Sequence, residues 1–348
     1  MALTIEETLR LVRPHLLKLQ PYSSARDEFD QSKEGAGKFI YLDANENPFN
    51  TDHNRYPDPY QRKLKEKISE LKHVSKERIF LGNGSDEAID LIIRLFCEPG
   101  DNILTTSPTY GMYKVSADIN NVAVKSVPLT EDFMLPSSFQ SAADDRTKVI
   151  FLCSPNNPSG NMLDSFPVVQ FAKCIVVVDE AYIDFASVKG FTEYLDWFPN
   201  LIVLQTFSKA WGLAGLRLGM AFAHPQIVAL LNKIKPPYNI SSANQKLAME
   251  AISNRVQWAG WVRQLLDERK RLEERLRNLS SVKKVFPSEA NFLLVKIDNA
   301  TGVYEKLVAD GIVVRDRSRV LRCDDCLRIT VGTWAENDEI IKALKSYE

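Results

Sequence analysis

The sequence predicts an α/β protein: a mainly parallel sheet covered by helices on both faces, joined to a smaller α+β unit. Two observations carry this. From Ile79 onward, short apolar, β-branched runs alternate with helical stretches, the pattern of parallel strands buried on both sides. At Pro236-Pro237 the alternation stops, and a long charged helical stretch leads into a second group of short strands. A length of 348 residues and 45% apolar content suit one large domain or two closely packed ones. The divisions fall at 45–235 for the large domain, and at 1–44 together with 236–348 for the small one.

The elements follow in order. Thr4 to Leu19 has apolar residues at helical spacing, interrupted by Pro14. Asp27 to Lys38 is polar with two glycines and reads as a loop. Phe39 to Leu42 reads as a short strand. Arg55-Tyr-Pro-Asp-Pro59 must be extended or turned, because its two prolines forbid regular helix. Gln61 to Leu71 is a charged amphipathic helix. Ile79 to Leu81 is a strand, with Ser85 placed to cap a helix reaching about Cys97. Asn102 to Thr105 is a strand, Tyr110 to Ile119 a helix, and Val122 to Val127 a strand. Buried strands follow at Val149–Leu152, Cys174–Val178, Leu201–Leu204 and Leu218–Phe222. Ala243 to about Leu279 is helical, with a joint at Asn254. Phe292–Ile297, Ile312–Val314 and Leu327–Thr330 are strands of the smaller unit, and Glu336–Ser346 is the last helix.

Composition excludes several functions. A net charge of −1 gives no field to draw nucleic acid or a membrane surface. No apolar run reaches the length of a membrane span, and the Glu6-Glu7 start does not resemble a signal peptide. Five scattered cysteines and four histidines offer one close pair, Cys323 and Cys326, so no metal site is expected. Reduced thiols in a cytoplasmic protein are the expectation.

Chemistry concentrates in Thr206-Phe-Ser-Lys-Ala-Trp-Gly-Leu-Ala-Gly-Leu-Arg-Leu-Gly219. Lys209 follows a buried strand, where desolvation can turn an ammonium into a nucleophilic amine. Ser208, the glycines and Arg217 are phosphate-binding types. Together they suit a phosphorylated carbonyl cofactor, pyridoxal phosphate. On residues alone, the same stretch also reads as a strand and turn with an exposed lysine. Ser85-Asp86 follows Gly82 and Gly84 at a strand-to-helix turn, where free N–H groups suit a phosphate; a plain N-cap reads equally well. Asp179 ends an apolar strand and needs a cationic partner, such as a protonated pyridine nitrogen, or else caps the next helix. Arg315 and Arg328 stand between apolar strand residues, so they are buried or point into a cleft.

Ser208-Lys209 with its glycine and arginine spacing resembles the lysine region of the aspartate-aminotransferase-like, fold type I pyridoxal phosphate enzymes. Asp43-Ala-Asn-Glu-Asn-Pro48, Gly82-Asn-Gly-Ser-Asp-Glu87, Ser154-Pro-Asn-Asn-Pro-Ser-Gly160, Val178-Asp-Glu-Ala-Tyr182 and Leu327-Arg-Ile-Thr-Val-Gly332 agree in order. Within that family the set is most similar to the histidinol-phosphate aminotransferases, over nearly the whole chain from about Tyr22. The resemblance implies that Lys209 holds the cofactor, Asp179 pairs with its ring nitrogen, and Tyr182 and Asn157 bond its phenolic oxygen. It places Tyr110 on the ring and the phosphate among Ser85, Asp86, Ser208 and Arg217. It makes Arg328 the substrate-anion arginine and Arg315 a second contact for a phosphorylated amine, with Tyr22 and Asn45 on the substrate side. Tyr56 matches a tyrosine that reaches the neighbouring subunit's cofactor phosphate, which implies a homodimer. The implied reaction moves the amino group of L-histidinol phosphate to 2-oxoglutarate, giving imidazole acetol phosphate and glutamate, in histidine biosynthesis. An aromatic amino-acid aminotransferase and a phosphothreonine decarboxylase of the cobalamin pathway share most of these motifs. A non-catalytic, cofactor-sensing regulator is the alternative of another class, but the chain has no room for an added DNA-binding domain.

Overall fold

The computed structural model describes residues 2–22 and 40–348. The loop expected at Asp27–Lys38 therefore lies outside the described residues, as does Phe39. Two short helices open the chain. A Thr4–Glu7 capping box starts α1 (Ile5–Leu9), and the interrupting proline starts α2 (Pro14–Lys18). Ile40 and Leu42 are 86% and 89% exposed, and no strand forms there. The strand expected at Phe39–Leu42 does not form in its described part, where the exposed Ile40 and Leu42 cover no core face. In α3 (Arg62–Lys72), the apolar stripe buries Leu64 and Ile68.

The large sheet and its helices then follow in alternation: β1 (Ile79–Asn83), α4 (Gly84–Phe96), β2 (Asn102–Ser107), α5 (Met112–Ile119), β3 (Ala123–Pro128), β4 (Thr147–Cys153), α6 (Phe166–Phe171), β5 (Ile175–Asp179), β6 (Leu201–Thr206), β7 (Leu218–Phe222) and α7 (Pro225–Ile234). The spatial order is β1-β7-β6-β5-β4-β2-β3. Four pairings are parallel, whereas β7 runs antiparallel to both its neighbours, β1 and β6. Period-two alternation fills both faces. Leu152, Val178 and Val203 face one core, with Leu64 of α3 and Val168 of α6. Phe151, Val177 and Ile202 face the other, under α4, α5 and α7. Two helix starts differ from expectation. Asn83 holds the N-cap position of α4 without a side-chain cap, so Ser85 lies inside the first turn. α5 begins at Met112 rather than Tyr110.

Beyond Pro236-Pro237 come α8 (Ser242–Ser253) and α9 (Arg255–Arg277), jointed at Asn254 as expected. Next are β8 (Val282–Val285), β9 (Phe292–Ile297), α10 (Ala300–Ala309), β10 (Arg315–Asp316), β11 (Cys326–Thr330) and α11 (Trp334–Ser346). The four strands form an antiparallel sheet ordered β10-β11-β9-β8. The strand expected at Ile312–Val314 sits further on, at β10. Ile312 N–H still bonds Leu307 O at the end of α10, so the ladder opens only at Arg315. α9 joins the two halves: Val262 packs into the large core, while Leu272 and Leu276 fill the core of the small sheet.

Candidate active site

A cavity of about 510 Å³ opens at the carboxyl ends of the parallel strands, where ligands of open α/β sheets bind. Five strands deliver to it residues of the loops that follow them: Gly84, Ser85 and Asp86 after β1, Tyr110 after β2, Asn157 after β4, Tyr182 after β5, and Ser208 and Lys209 after β6. Arg315 and Arg328 close it from the small sheet. Of the lining residues, five carry basic side chains and two, Asp86 and Asp179, carry carboxylates.

Asp179 is the last residue of β5 and is 2% exposed. Its carboxylate accepts hydrogen bonds from the Tyr113 hydroxyl at 2.7 Å and from the Ala181 N–H at 3.1 Å. Burial dominates nonetheless and pushes the carboxyl up to about 6. A carboxylate so placed is short of a cation, and a protonated ring nitrogen would supply one. Lys209 Nζ lies 5.7 Å from the centre of the Tyr182 ring. Burial, with the nearby charges of Arg328 and Arg217, lowers its pKa and favours the free amine.

The end of the cavity at the first turn of α4 is built from backbone proximity. β7 runs so close to the start of α4 that a Cβ on Gly219 would lie 2.2 Å from Ser85 N. Gly84 has φ +74, and its N–H bonds Arg217 O at 2.8 Å. A Cβ there would sit 2.7 Å from the Arg217 guanidinium. Asp86 accepts from Tyr110 Oη at 2.9 Å and from Arg217 Nη2 at 3.2 Å. It thus orients both groups at the helix N-terminus, whose free N–H groups and dipole face the cavity. Thr206 Oγ1 holds both Ser208 N and Ser208 Oγ at 3.0 Å. An amine, a buried acid and a glycine-walled anion cradle on one cavity fit pyridoxal phosphate.

At the substrate side, Arg328 Nη1 donates to Asn157 Oδ1 at 2.5 Å, and the guanidinium lies 5.2 Å from the Phe292 ring centre. Burial, together with Arg317 and Arg315 nearby, lowers the Arg328 pKa. Three residues expected at the site stand apart from this cavity. Tyr22 is 72% exposed, and Asn45 and Tyr56 line a separate cavity of about 490 Å³. There Tyr56 stacks on Tyr238 with ring centres 4.5 Å apart. Cys323 and Cys326 are buried free thiols outside the cavity lining.

Two residues of the site were missed in the sequence. Tyr113, the Asp179 partner, is a fully buried phenol stacked on Phe151, indistinguishable by pattern from a core aromatic. Arg317 lines the cavity beside Arg315. Its signal was present, since Arg315-Asp316-Arg317 in extended backbone puts both arginines on one face.

Comparison with known proteins agrees with this geometry. The family model for aminotransferase class I and II matches residues 40–344. A histidinol-phosphate aminotransferase of Parabacteroides distasonis is 54% identical over 341 residues, covering 97% of each chain. The crystal structure of the histidinol-phosphate aminotransferase from Clostridium acetobutylicum superposes with a TM-score of 0.79 at 25% identity, over 85% of this chain and 91% of that one. That of the Sinorhizobium meliloti histidinol-phosphate aminotransferase, in complex with pyridoxal-5'-phosphate, gives 0.78 at 26% identity, over 85% and 83%.

Proposed function

The chain belongs to the class I and II aminotransferases, and from that premise we propose that it transfers the amino group of L-histidinol phosphate to 2-oxoglutarate, in histidine biosynthesis. It is a pyridoxal 5'-phosphate enzyme. When bound, that cofactor supplies an electron sink for the bond to the amine-bearing carbon. The protein supplies the rest. Asp179 would keep the ring nitrogen protonated. Tyr182 and Asn157 would donate toward the phenolic oxygen, and Tyr110 would hold the ring. The first turn of α4, Ser208 and Arg217 would hold the phosphate. Lys209 Nζ, favoured as the free amine, takes the proton from the amine-bearing carbon of the substrate and redelivers it.

The observation that carries the substrate assignment is the β10–β11 register, which sets Arg315 directly opposite Arg328 at the cavity mouth. Two facing guanidiniums suit a phosphate dianion better than a carboxylate. Single-turnover kinetics of each half-reaction tests this. Arg315→Ala should slow the L-histidinol phosphate half-reaction roughly 10- to 100-fold, the loss of one charge-assisted contact, and the glutamate half-reaction less. Arg328→Ala should damage both. Equal losses in Arg315→Ala would move the assignment to an aromatic amino-acid donor.

The reading extends to organisation. Residues 45–235 form the cofactor-carrying unit, and 1–44 with 236–348 form the smaller one, in keeping with two separate sheets. Tyr56, half-exposed and outside the lining of the cavity that holds Lys209, serves the site of a second subunit in a homodimer, and Tyr22 and Asn45 complete the substrate side. No helix among the described residues is long and apolar enough to cross a membrane. Five free cysteines fit a reducing cytoplasm.

A further inference from the structure

We propose that Arg317 is a third cationic ligand of the substrate's phosphate and the residue that sets preference for a dianionic donor; this rests on the reading of the cavity as a phosphorylated-amine site. The argument begins with strand geometry. Arg315 and Arg328 are partners in the β10–β11 ladder. Directly opposed residues of an antiparallel pair point to the same face, with Cβ atoms about 5 Å apart. Arg317 N–H donates to Cys326 O at 2.8 Å and so carries the ladder one step further. Two residues beyond Arg315, it returns to the same face and to the same cavity.

Like charges opposed across a ladder are destabilising. Among the described residues, none of the three arginines makes an ion pair with a carboxylate. The acid between them, Asp316, is engaged by Thr301 Oγ1 at 2.9 Å and Ser318 N at 2.8 Å. The Nε atoms of Arg317 and Arg328 are buried with no hydrogen-bond partner. Buried unpaired donors beside repelling cations form an incomplete arrangement. An anion with three terminal oxygens and two charges completes it. A carboxylate has two oxygens and one charge, and Arg328 with Asn157 beneath it already suffices for that.

The test compares the wild-type holoenzyme with Arg317→Gln and Arg317→Lys. Single-turnover titrations use L-histidinol phosphate and L-histidinol, which lacks the phosphate. Calorimetry with inorganic phosphate reads binding without turnover. Arg317→Gln should weaken L-histidinol phosphate and inorganic phosphate roughly 10- to 100-fold, leave the limiting rate little changed, and leave L-histidinol unaffected. Arg317→Lys should restore part of the loss. A phosphate monoester gains its second charge near pH 6. Affinity for L-histidinol phosphate should therefore rise from about pH 5 to 7 in the wild type and rise less in Arg317→Gln, a change that a purely structural residue would not cause. Equal losses for both amines, or an unaltered pH rise, overturn the proposal. If the wild type rejects L-histidinol phosphate yet Arg317→Gln weakens inorganic phosphate, the assigned donor falls and Arg317 keeps its role. If inorganic phosphate binds Arg317→Gln as it binds the wild type, the Arg317 assignment falls for every donor.

Discussion

Asp179 and Glu180 are neighbours in sequence, both almost wholly buried, and only one of them faces the cavity. Glu180 accepts from Phe191 N at 2.6 Å and Gln205 Nε2 at 2.9 Å, and its carboxyl is pushed up to about 7 by burial. A carboxyl raised in the folded state binds its proton more tightly there than in the unfolded chain. Its contribution is therefore complete below the ordinary value of 4.5 and is lost as pH rises through about 7. Glu180→Gln keeps the shape, and once the Gln205 amide turns over, the new amide can donate to Gln205 Oε1, which is buried without a partner. It should flatten the fall in stability between pH 4.5 and 7, read by urea denaturation, and leave transamination intact. Asp179→Asn should keep the fold and lose more than about tenfold in activity, or about 1.4 kcal/mol of barrier. A smaller loss would make Asp179 a helix cap and nothing more.

At the scale of elements, the phosphate cradle depends on how closely β7 passes the first turn of α4. Gly219→Ala would place a methyl 2.2 Å from Ser85 N, so helix and strand must separate. Thermal unfolding should show a loss of roughly 1–3 kcal/mol, and spectral titration should show cofactor affinity down about tenfold or more. Unchanged affinity would mean that the cradle lies elsewhere. Contacts of this kind were only half legible in the sequence. The buried strands stood out because Ile175–Val178 and Leu201–Leu204 are unbroken apolar runs. Val282-Lys-Lys-Val285 did not, because it is exposed on its middle residues, and β10 did not, because arginines stand where a strand pattern expects apolar residues. Lys209 and Asp179 stood out by their places at the ends of buried strands, Asn157 came from the family resemblance alone, and all three line one cavity. Tyr113 was not legible, since it is identified by a hydrogen bond across 66 residues, whereas the alternation Arg315-Asp316-Arg317 carried a signal for Arg317 that the motif spacing alone passed over.

At the scale of the whole molecule, the cavity as one chain builds it lacks Tyr56, which is 52% exposed and stacked on Tyr238. Mixed with refolding, inactive Tyr56→Ala and Lys209→Ala chains should regain some activity, because one site of each mixed dimer then has both side chains. Full activity of a monomer at nanomolar concentration would refute sharing. The reversed strand β7 has a further consequence. Among the described residues it is the sole partner of β1, and it pairs Leu218 with Asn83, more than a hundred residues earlier in the chain. During synthesis, β1 waits on the order of ten seconds for the strand that completes its edge of the sheet. Both walls of the phosphate cradle, Gly84 and Gly219, meet only then. On the proposed reading of this cradle, cofactor loading is a late event on the ribosome's clock, and a nascent chain ending before Phe222 should not grip the phosphate, however well its parallel strands have paired.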